Sequence, residues 1–400
     1  MSGKTLDVQT VPAYIESRES LRGLVDTASL DVKEVGDGNL NQVFICTDAS
    51  GRRVVMKQAL PYVRLVGPEW PMTEDRAARE ANALAVHYAL SPDFTCRLLD
   101  YDADLHVLAL EDLTDHEVLR TRLNNAGPHA GVAEAMGRYV ADYGFGTSYF
   151  ALGEEVFRLR AAEAINTELC ALTEDLVCTE PFLGADRNDY TDAVKPVIEG
   201  LQQNDGAWLA AAMQMKRRFI TRQESLLHGD LHSGSIFVRG DGGSLSCKAF
   251  DSEFAYYGPL GYDLGLLWSN LIAAAVRAVV LGDADRAESL IDAIGINWAV
   301  FTERMRALWP TRVTPEKSPD CCLDQWLSDI LDDSWGFAGC ESTRRSVGLA
   351  KVSDIESLEG EEHTTAVAHV LRIGRRMLVD RSRLSIDEHL AAIKGELGIS

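Results

Sequence analysis

The first third of the chain alternates short apolar runs with turn residues. Strand-like runs of this kind lie at 31–35, 43–47, 54–56, 97–101 and 105–110. Short apolar runs bounded by turns are typical of β-strands, and their close spacing predicts antiparallel hairpins. Between the third and fourth runs, positions 74–90 carry apolar residues at helical spacing and are followed by Pro92, which predicts one helix.

The pattern changes after residue 113, where long helical periods replace the short runs. They cover 129–149, 154–171, 189–221, 262–280, 285–308, 362–379 and 387–397. One strand-like interruption, between 228 and 250, holds two apolar runs separated by a glycine-rich turn. We therefore predict an α+β protein with a strand-rich first lobe (1–110), a connector (111–114) and a helix-rich second lobe (115–400). The cleft between two such lobes is a natural ligand site.

Charge and composition narrow the range of functions. The chain has 400 residues, of which 61 are acidic and 39 basic, and its formal net charge is −22. Such a chain repels nucleic acids and anionic membrane surfaces, so neither is an expected partner. No secretory leader is predicted, because residues 1–14 mix polar and apolar side chains. No membrane-spanning run is predicted either, because the most apolar stretch, 264–276, contains Ser269 and Asn270. Eight cysteines without a CxxC pair favour a reduced, cytoplasmic protein.

Two features of the first lobe are suited to phosphate binding. Gly36 and Gly38 lie between strand-like runs, where glycine lets backbone amides approach a phosphate closely, although most glycine turns are only turns. Lys57 ends an apolar strand and is able to reach nucleotide phosphates, with Glu80 on the following helix as a partner for its ammonium. The alternative is a lysine whose stem packs on the strand while its charge stays in water.

The strand-like interruption of the second lobe contains three carboxylates at an informative spacing. Asp230 lies in the segment 228–235, the HGD loop, and Asp251 and Glu253 follow it on the far side of a predicted hairpin. One carboxylate of such a set is able to accept a hydroxyl proton, and the other two are hard oxygen ligands suited to Mg²⁺. A turn-capping role would explain Asp230 but not the downstream pair.

A transition-metal site is the competing interpretation of the HGD loop. His228, Asp230 and His232 have the spacing of metal ligands. Zinc needs further ligands, and the other histidines form no second ligand cluster in the sequence.

The order of these features, from glycine turn through strand lysine, HGD loop and hairpin to the DxE of residues 251–253, resembles that of the protein-kinase-like phosphotransferases. Within them the chain is similar to the aminoglycoside/choline kinase-type group, and more closely to the methylthioribose kinases. The segments that carry the resemblance span most of the chain and lie at 36–41, 57–64, 69–76, 111–113, 228–236, 251–259, 261–265 and 344–350.

The resemblance implies a fold and an activity. The fold would be the bilobal protein-kinase-like one, with a small antiparallel-sheet N-lobe and a larger, mostly helical C-lobe. The activity would be ATP-dependent phosphorylation of the C1 hydroxyl of S-methyl-5-thioribose, in methionine salvage, with Mg²⁺ as cofactor and a homodimer as assembly. A related kinase for another small alcohol (aminoglycoside, choline or homoserine) is the alternative. A nucleotide-binding protein without turnover is a further one, although Lys57, Asp230 and Asp251 are all present.

The resemblance also implies residue roles. Asp230 would be the catalytic base, and Asp251 and Glu253 would hold Mg²⁺. The segment around Trp70 would fold over the nucleotide. The acceptor would meet Asp230, Arg344 and Arg345. The nucleotide would be bound by Gly36, Gly38, Asn39, Asn41, Lys57 and the backbone of Glu111, Asp112 and Leu113.

Three details qualify these roles. Ser235 stands where the wider group has an asparagine, five residues after the catalytic aspartate, which shifts metal binding toward Glu253. Arg344 and Arg345 are adjacent, so both can reach one ligand only from a helix end or a bend. Without the resemblance they would be interpreted as a solvated pair, and the acidic segment 354–362 as solvated surface.

Overall fold

The computed structural model describes residues 5–36, 40–64 and 66–399. Gly38 and Asn39, two of the residues predicted to bind the nucleotide, lie outside the described residues. Every strand predicted in the first lobe is present, with its bounds moved by a few residues at most. The strands are β1 (Asp31–Val35), β2 (Asn41–Thr47), β3 (Arg53–Ala59), β4 (Leu98–Asp102), β5 (Val107–Leu110), β6 (Glu117–Val118), β7 (Ser225–Leu226), β8 (Ile236–Arg239), β9 (Ser246–Ala249) and β10 (Tyr257–Gly258).

The first five strands form one antiparallel sheet in the order β1-β2-β3-β5-β4. Lys57 in the central strand pairs with Val43 on one side and Leu108 on the other, so its position is fixed by ladders on both edges. The predicted hairpin after the HGD loop is confirmed as β8 and β9, which pair antiparallel. The α+β fold class is therefore confirmed.

The described α-helices include two in the first lobe, the first two of the chain, and they make up most of the chain after the connector. They are α1 (Val11–Ser17), α2 (Arg76–Leu90), α3 (Leu119–Asn124), α4 (Val132–Gly146), α5 (Tyr149–Leu152), α6 (Glu154–Glu163), α7 (Thr167–Cys178), α8 (Glu180–Leu183), α9 (Lys195–Asn204), α10 (Gly206–Thr221), α11 (Gly261–Val280), α12 (Ala284–Leu308), α13 (Cys321–Val347), α14 (Ser353–Glu356), α15 (Gly360–Asp380) and α16 (Ile386–Leu397).

Two predicted helices are each broken in two, and both breaks have a local cause. The predicted helix 154–171 ends at Glu163 and restarts at Thr167, because Asn166 donates hydrogen bonds to the backbone oxygens of Glu253 and Ala255. The predicted helix 189–221 breaks at Asp205, whose side chain accepts from the Trp208 N–H and caps the next helix.

The longest described helix, α13, was not predicted. It packs between α11 and α15, and polar residues such as Ser334 and Glu341 are buried in it together with apolar ones. From Asp333 onward the helix is buried on nearly every side and has no one-sided apolar stripe, so the periodicity argument fails there. Gly261 and Gly265 allow the close approach of α11, because a Cβ at either position would lie 2.6–2.7 Å from an α13 backbone oxygen.

Helix α11 is the one described helix that is long and apolar enough to cross a membrane by length and composition. Of its most apolar window, 83% is buried inside the protein, as in the core helix of a globular fold. The surrounding core is the largest of the molecule, and Trp208, Trp268 and Trp335 lie within it almost without exposure.

Candidate active site

Lys57 is held by carboxylates from two directions. Its ammonium lies 2.6 Å from Glu80 on α2, so the contact predicted from the sequence is confirmed. The same ammonium contacts Asp251, which follows the β8–β9 hairpin. Burial alone would lower the pKa of Lys57, but the charges of Asp251 and Glu80 outweigh it and raise that pKa above its ordinary value. The lysine is therefore a buried cation and does not extend into water.

Three carboxylates gather beside this lysine. One oxygen each from Glu80, Asp251 and Glu253 lies within 4.8 Å of the others. Asp251 has a φ of 69°, in the left-handed region that few side chains adopt, and such conformations cluster at functional sites. Carboxylate oxygens are the donors that Mg²⁺ prefers, so the donor set fits that ion.

Glu253 is oriented by two polar side chains that the sequence argument did not connect to it. The side-chain amide of Asn41 donates to its carboxylate at 2.9 Å, and Arg76 forms an ion pair with it at 3.1 Å. Arg76 is fully buried and also donates to the backbone oxygens of Leu40 and Leu60. Asn41, predicted to bind the nucleotide, thus contacts a predicted metal ligand through its side chain.

Asp263 on α11 binds the backbone of the HGD loop. Its carboxylate accepts from the backbone N–H groups of His228 (2.8 Å) and Gly229 (3.0 Å) and from the Tyr143 hydroxyl (2.7 Å). Gly229 has a φ of 81°, and a Cβ there would lie 2.2 Å from the backbone oxygen of Phe254, so only glycine fits. The loop is therefore held in one conformation by a buried carboxylate and a glycine.

Asp230 lies in this loop among cationic groups. Its carboxylate is 3.4 Å from the Nε2 atom of His232. Burial alone would raise the pKa of Asp230, but His232, Arg345 and Arg344 together hold it well below its usual range. The carboxylate is consequently ionised and able to accept a proton or orient a hydroxyl group.

The transition-metal interpretation does not fit the loop. The Nε2 atom of His228 donates to the Phe250 carbonyl at 3.0 Å, and its Nδ1 atom accepts from the Asp230 N–H at 3.3 Å. The Nδ1 atom of His232 accepts from the Gly234 N–H at 2.9 Å. Both nitrogens of His228 are therefore occupied by the backbone, and a metal ion would have to displace those bonds.

Arg344 and Arg345 lie in the last turn of α13, which ends at Val347, so the helix end that a shared ligand requires is present. Both bind the buried carboxylate of Glu341, Arg345 at 2.5 Å and Arg344 at 3.2 Å. Their side chains are only 9% and 14% exposed, so the solvated-pair interpretation is wrong. Burial would raise the pKa of Glu341, but the two guanidinium groups hold it below its ordinary value.

A third arginine reaches the HGD loop and was missed from the sequence. Arg120 on α3 donates to Asn270 at 2.7 Å and lies 3.2 Å from the Asp354 carboxylate. A Cβ at Gly234 would lie 2.8 Å from one of its terminal nitrogens. Burial and the nearby Arg345 guanidinium lower the pKa of Arg120. Asp354 is fully buried, so the prediction of solvated surface is wrong for this residue.

Some backbone groups of the connector are already hydrogen-bonded within the protein. The Glu111 N–H donates to the Arg97 carbonyl at 3.0 Å, and the Leu113 carbonyl accepts from the His116 N–H at 2.9 Å. Within the described residues, no hydrogen bond engages the Glu111 carbonyl or the Leu113 N–H. Asp112 uses its carboxylate to cap the turn that follows. The Glu111 carbonyl, an acceptor, and the Leu113 N–H, a donor, thus remain available to bind a ligand.

The segment around Trp70 bridges the sheet and the helices. Arg64 donates to the carbonyl of Gly36 at 3.0 Å, which links this segment to the glycine turn. The Trp70 ring faces the guanidinium of Arg187 at 5.6 Å. A Cβ on Gly36 would meet nothing within 4 Å, so packing does not require glycine there.

The described chain thus combines a two-lobed α+β fold with a lysine–glutamate pair, an acidic cluster and an ionised loop aspartate, the parts of a phosphotransferase site. The family model of the phosphotransferase enzyme family matches residues 31–302. The methylthioribose kinase of Yersinia enterocolitica is 40% identical over 92% of this chain and 93% of that protein. That of Geobacillus kaustophilus is 38% identical over 89% and 88%. The chain belongs to the phosphotransferase enzyme family and, within it, groups with the methylthioribose kinases.

Solved structures resemble the fold more distantly. A choline kinase from Cryptosporidium parvum Iowa II aligns over 96% of this chain and 100% of that chain, with a TM-score of 0.49 and 12% identity. A similarity at that level carries no argument about the site.

Proposed function

We propose that the protein transfers the γ-phosphoryl group of ATP to the C1 hydroxyl of S-methyl-5-thioribose, giving the 1-phosphate and ADP, in methionine salvage. The observation that carries the proposal is the buried Arg344–Arg345–Glu341 arrangement within electrostatic reach of the ionised Asp230. The names of the relatives supply the acceptor.

The nucleotide would lie between the glycine turn and the connector. Lys57 would contact its phosphates, because Glu80 holds that ammonium in place. The free Glu111 carbonyl and Leu113 N–H would bind the donor and acceptor edge of adenine. Gly36 would contribute its backbone to the phosphate site, as the resemblance implies. Gly38, Asn39 and Asn41 remain predictions for this site, and the side chain of Asn41 would act through Glu253.

Asp251 and Glu253 would hold Mg²⁺, with Glu80 at the edge of the same cluster. When bound, the ion would neutralise charge on the nucleotide phosphates. Asn41 and Arg76 orient the Glu253 carboxylate whether or not an ion is present. Asp251 is already paired with Lys57, so the lysine and this metal ligand are set relative to each other.

At the acceptor end, Asp230 would take the proton of the attacking hydroxyl group. The hydroxyl oxygen then bonds to the γ-phosphorus while the bond between that phosphorus and the ADP oxygen breaks. A carboxylate that is ionised before substrate arrives needs no prior proton loss. Arg344 and Arg345 would bind acceptor oxygens or the transferring phosphoryl group, since Glu341 fixes both guanidinium groups.

Another small alcohol is the alternative acceptor. The cationic groups around Asp230 argue against an aminoglycoside or choline, because both are cations themselves. ADP release with Mg·ATP, compared among methylthioribose, ribose, choline, homoserine and an aminoglycoside, decides the acceptor. We expect turnover confined to methylthioribose, with a sugar 1-phosphate as product. Turnover on another alcohol would replace the substrate, and ATP binding without turnover would indicate a regulatory nucleotide-binding protein.

Arg344→Ala is expected to lower kcat/KM for the acceptor by about 10- to 100-fold and to leave the Kd for ATP within about twofold. The reason is that a charge-assisted hydrogen bond to the acceptor is lost, while the nucleotide contacts come from other elements. Steady-state kinetics and equilibrium titration with ATP measure the two quantities. If ATP binding weakens more than acceptor use, the arginine belongs to the nucleotide site.

Arg120 lies close enough to Asp230 and Arg345 to feel their charges, so we propose that it is a third cation at the acceptor end. Arg120→Gln is then expected to lower kcat/KM for the acceptor by about 10-fold or more, again with little effect on ATP binding. Arg122→Gln is the matched control, because Arg122 lies on the same short helix but binds Glu117 and the Gly240 carbonyl. Kinetics of both variants, corrected for the folded fraction, test the prediction. Equal losses in the two variants would show that α3 is disturbed as a whole and that Arg120 has no acceptor contact.

The resemblance implies the assembly, the cysteine pattern favours the location, and the net charge of −22 disfavours nucleic-acid and membrane partners. We propose a homodimer in the cytoplasm, with no nucleic-acid or membrane partner. Sedimentation of the purified full chain measures the oligomeric state, and a monomer at micromolar concentration would contradict the dimer.

A further inference from the structure

Helix α2 carries three buried polar residues on one face, Arg76, Glu80 and His87. His87 lies seven residues after Glu80, two helical turns, so both side chains project from nearly the same side. Glu80 contacts Lys57 at the sheet, whereas His87 is buried against residues of the second lobe. The helix therefore touches the phosphate-binding lysine at one end and the helical lobe at the other.

The hydrogen bonds of His87 define its tautomer. Its Nε2 atom lies 3.0 Å from the carbonyl oxygen of Leu226, which only accepts, so Nε2 carries the hydrogen. Its Nδ1 atom therefore accepts from the Tyr139 hydroxyl, at 2.9 Å. Burial lowers the pKa of His87 to about 3, so the ring remains neutral and keeps both bonds.

Two short paths lead from this imidazole to the HGD loop. The ring stacks on Tyr143, with centroids 4.2 Å apart and planes at 11°. The Tyr143 hydroxyl donates to Asp263, the carboxylate that binds the first two backbone N–H groups of the loop. The second path runs along the chain, because Leu226 precedes His228 by only two residues.

We infer that His87 is a positioning residue that fixes helix α2, and with it the Lys57–Glu80 pair, relative to the HGD loop that carries Asp230. Phosphoryl transfer depends on holding donor and acceptor in line, and these groups lie at the two ends of that alignment. The inference rests on the proposed function, since it concerns the geometry of the same reaction. Any buried imidazole needs partners for its ring nitrogens, so the observation that favours positioning is the route from His87 through Tyr143 to Asp263.

The test is a double-mutant cycle with Glu80. His87→Phe keeps an aromatic ring on Tyr143 and removes both hydrogen bonds, and we expect kcat to fall at least about 10-fold with acceptor KM within about twofold. In the Glu80→Gln background the same change is expected to cost no more than about threefold, because the pair it positions is already broken. His87→Gln, whose amide nitrogen mimics Nε2, should restore a large part of the loss.

Asn82→Ala is the matched control, since Asn82 lies on the exposed face of the same helix and should change neither background. Equal losses from His87→Phe in both backgrounds, accompanied by a parallel fall in Tm, would show a purely structural residue and overturn the inference. So would an unchanged kcat.

Amide hydrogen exchange on the unliganded full chain tests the same inference without turnover. His87→Phe is expected to raise exchange together at 226–230 and around Glu80, and Asn82→Ala is expected not to. Exchange raised only next to residue 87, or equally everywhere, would overturn it. Tyr139→Phe, which removes one hydroxyl, is the second variant if His87→Phe does not fold. Because the wild type is assayed on methylthioribose in the same series, absence of wild-type turnover would identify failure of the proposed function separately.

Discussion

Asp230→Asn is expected to lower kcat by about 10²- to 10⁴-fold, the range that a positioned general base contributes, while the Kd for ATP stays within about twofold. Asparagine keeps the shape of the side chain but cannot accept the hydroxyl proton. The loop should keep its conformation, because Asp263 and Gly229 hold its backbone and neither is changed. Saturating kinetics with methylthioribose and equilibrium titration with ATP measure both quantities.

The low pKa of Asp230 also predicts how kcat depends on pH. Its pKa is held well below the usual carboxyl range, so the carboxylate stays ionised as the solution is acidified. We expect no acidic limb from Asp230 in the kcat profile above about pH 4, where a free aspartate would begin to protonate. Asp241→Asn is the control for Asp230→Asn and should keep the wild-type kcat, since Asp241 is exposed in the hairpin that follows the HGD loop. If Asp230→Asn kept the full kcat, Asp230 would not be the catalytic base.

Asp251→Asn is expected to lower kcat by at least about 10²-fold and to raise the Mg²⁺ concentration needed for half-maximal activity. The variant removes one of the three clustered carboxylates and also one of the two charges that hold Lys57. Lys57 keeps its contact with Glu80, so the fold of the sheet should persist.

A measurement independent of turnover separates the two effects of Asp251→Asn. ATP affinity is titrated with and without Mg²⁺, and we expect the gain that Mg²⁺ produces in the wild type to shrink in the variant. Asp241→Asn, with its exposed carboxylate, should keep the wild-type gain. An unchanged Mg²⁺ dependence in Asp251→Asn would place the ion elsewhere.

Much of the site was predictable because its residues stand in local patterns. Lys57 follows a short apolar run in β3, and Glu80 lies on a helix with a clear apolar period, so their contact followed from neighbouring elements. The hairpin between Asp230 and Asp251 is likewise local, and it forms as predicted. The residue roles built on these positions stay predictions until the variants are measured.

Two residues were missed for different reasons. Arg120 acts across long separations, since it contacts Asn270 and Asp354. Glu341 is only three and four residues from the arginines, but it lies in a helix that was not predicted. Asp263 lies in 261–265, one of the segments that carry the resemblance, but no role was assigned to it. An acidic residue at the start of an apolar helix was the available signal, because such a residue needs a polar partner when it is buried.

By itself the sequence determined the strand-rich first lobe, the helix-rich remainder and the order of the glycine turn, lysine, HGD loop and DxE. Those features depend on local propensity and spacing, which are read along the chain. Only the tertiary structure decided which charges are buried together, because burial is a property of packing among distant segments. It placed Asp354 inside, paired Arg344 and Arg345 with Glu341, and set His87 between α2 and the HGD loop. The sequence does not show whether a charged residue is buried or exposed, because that depends on which helices pack around it.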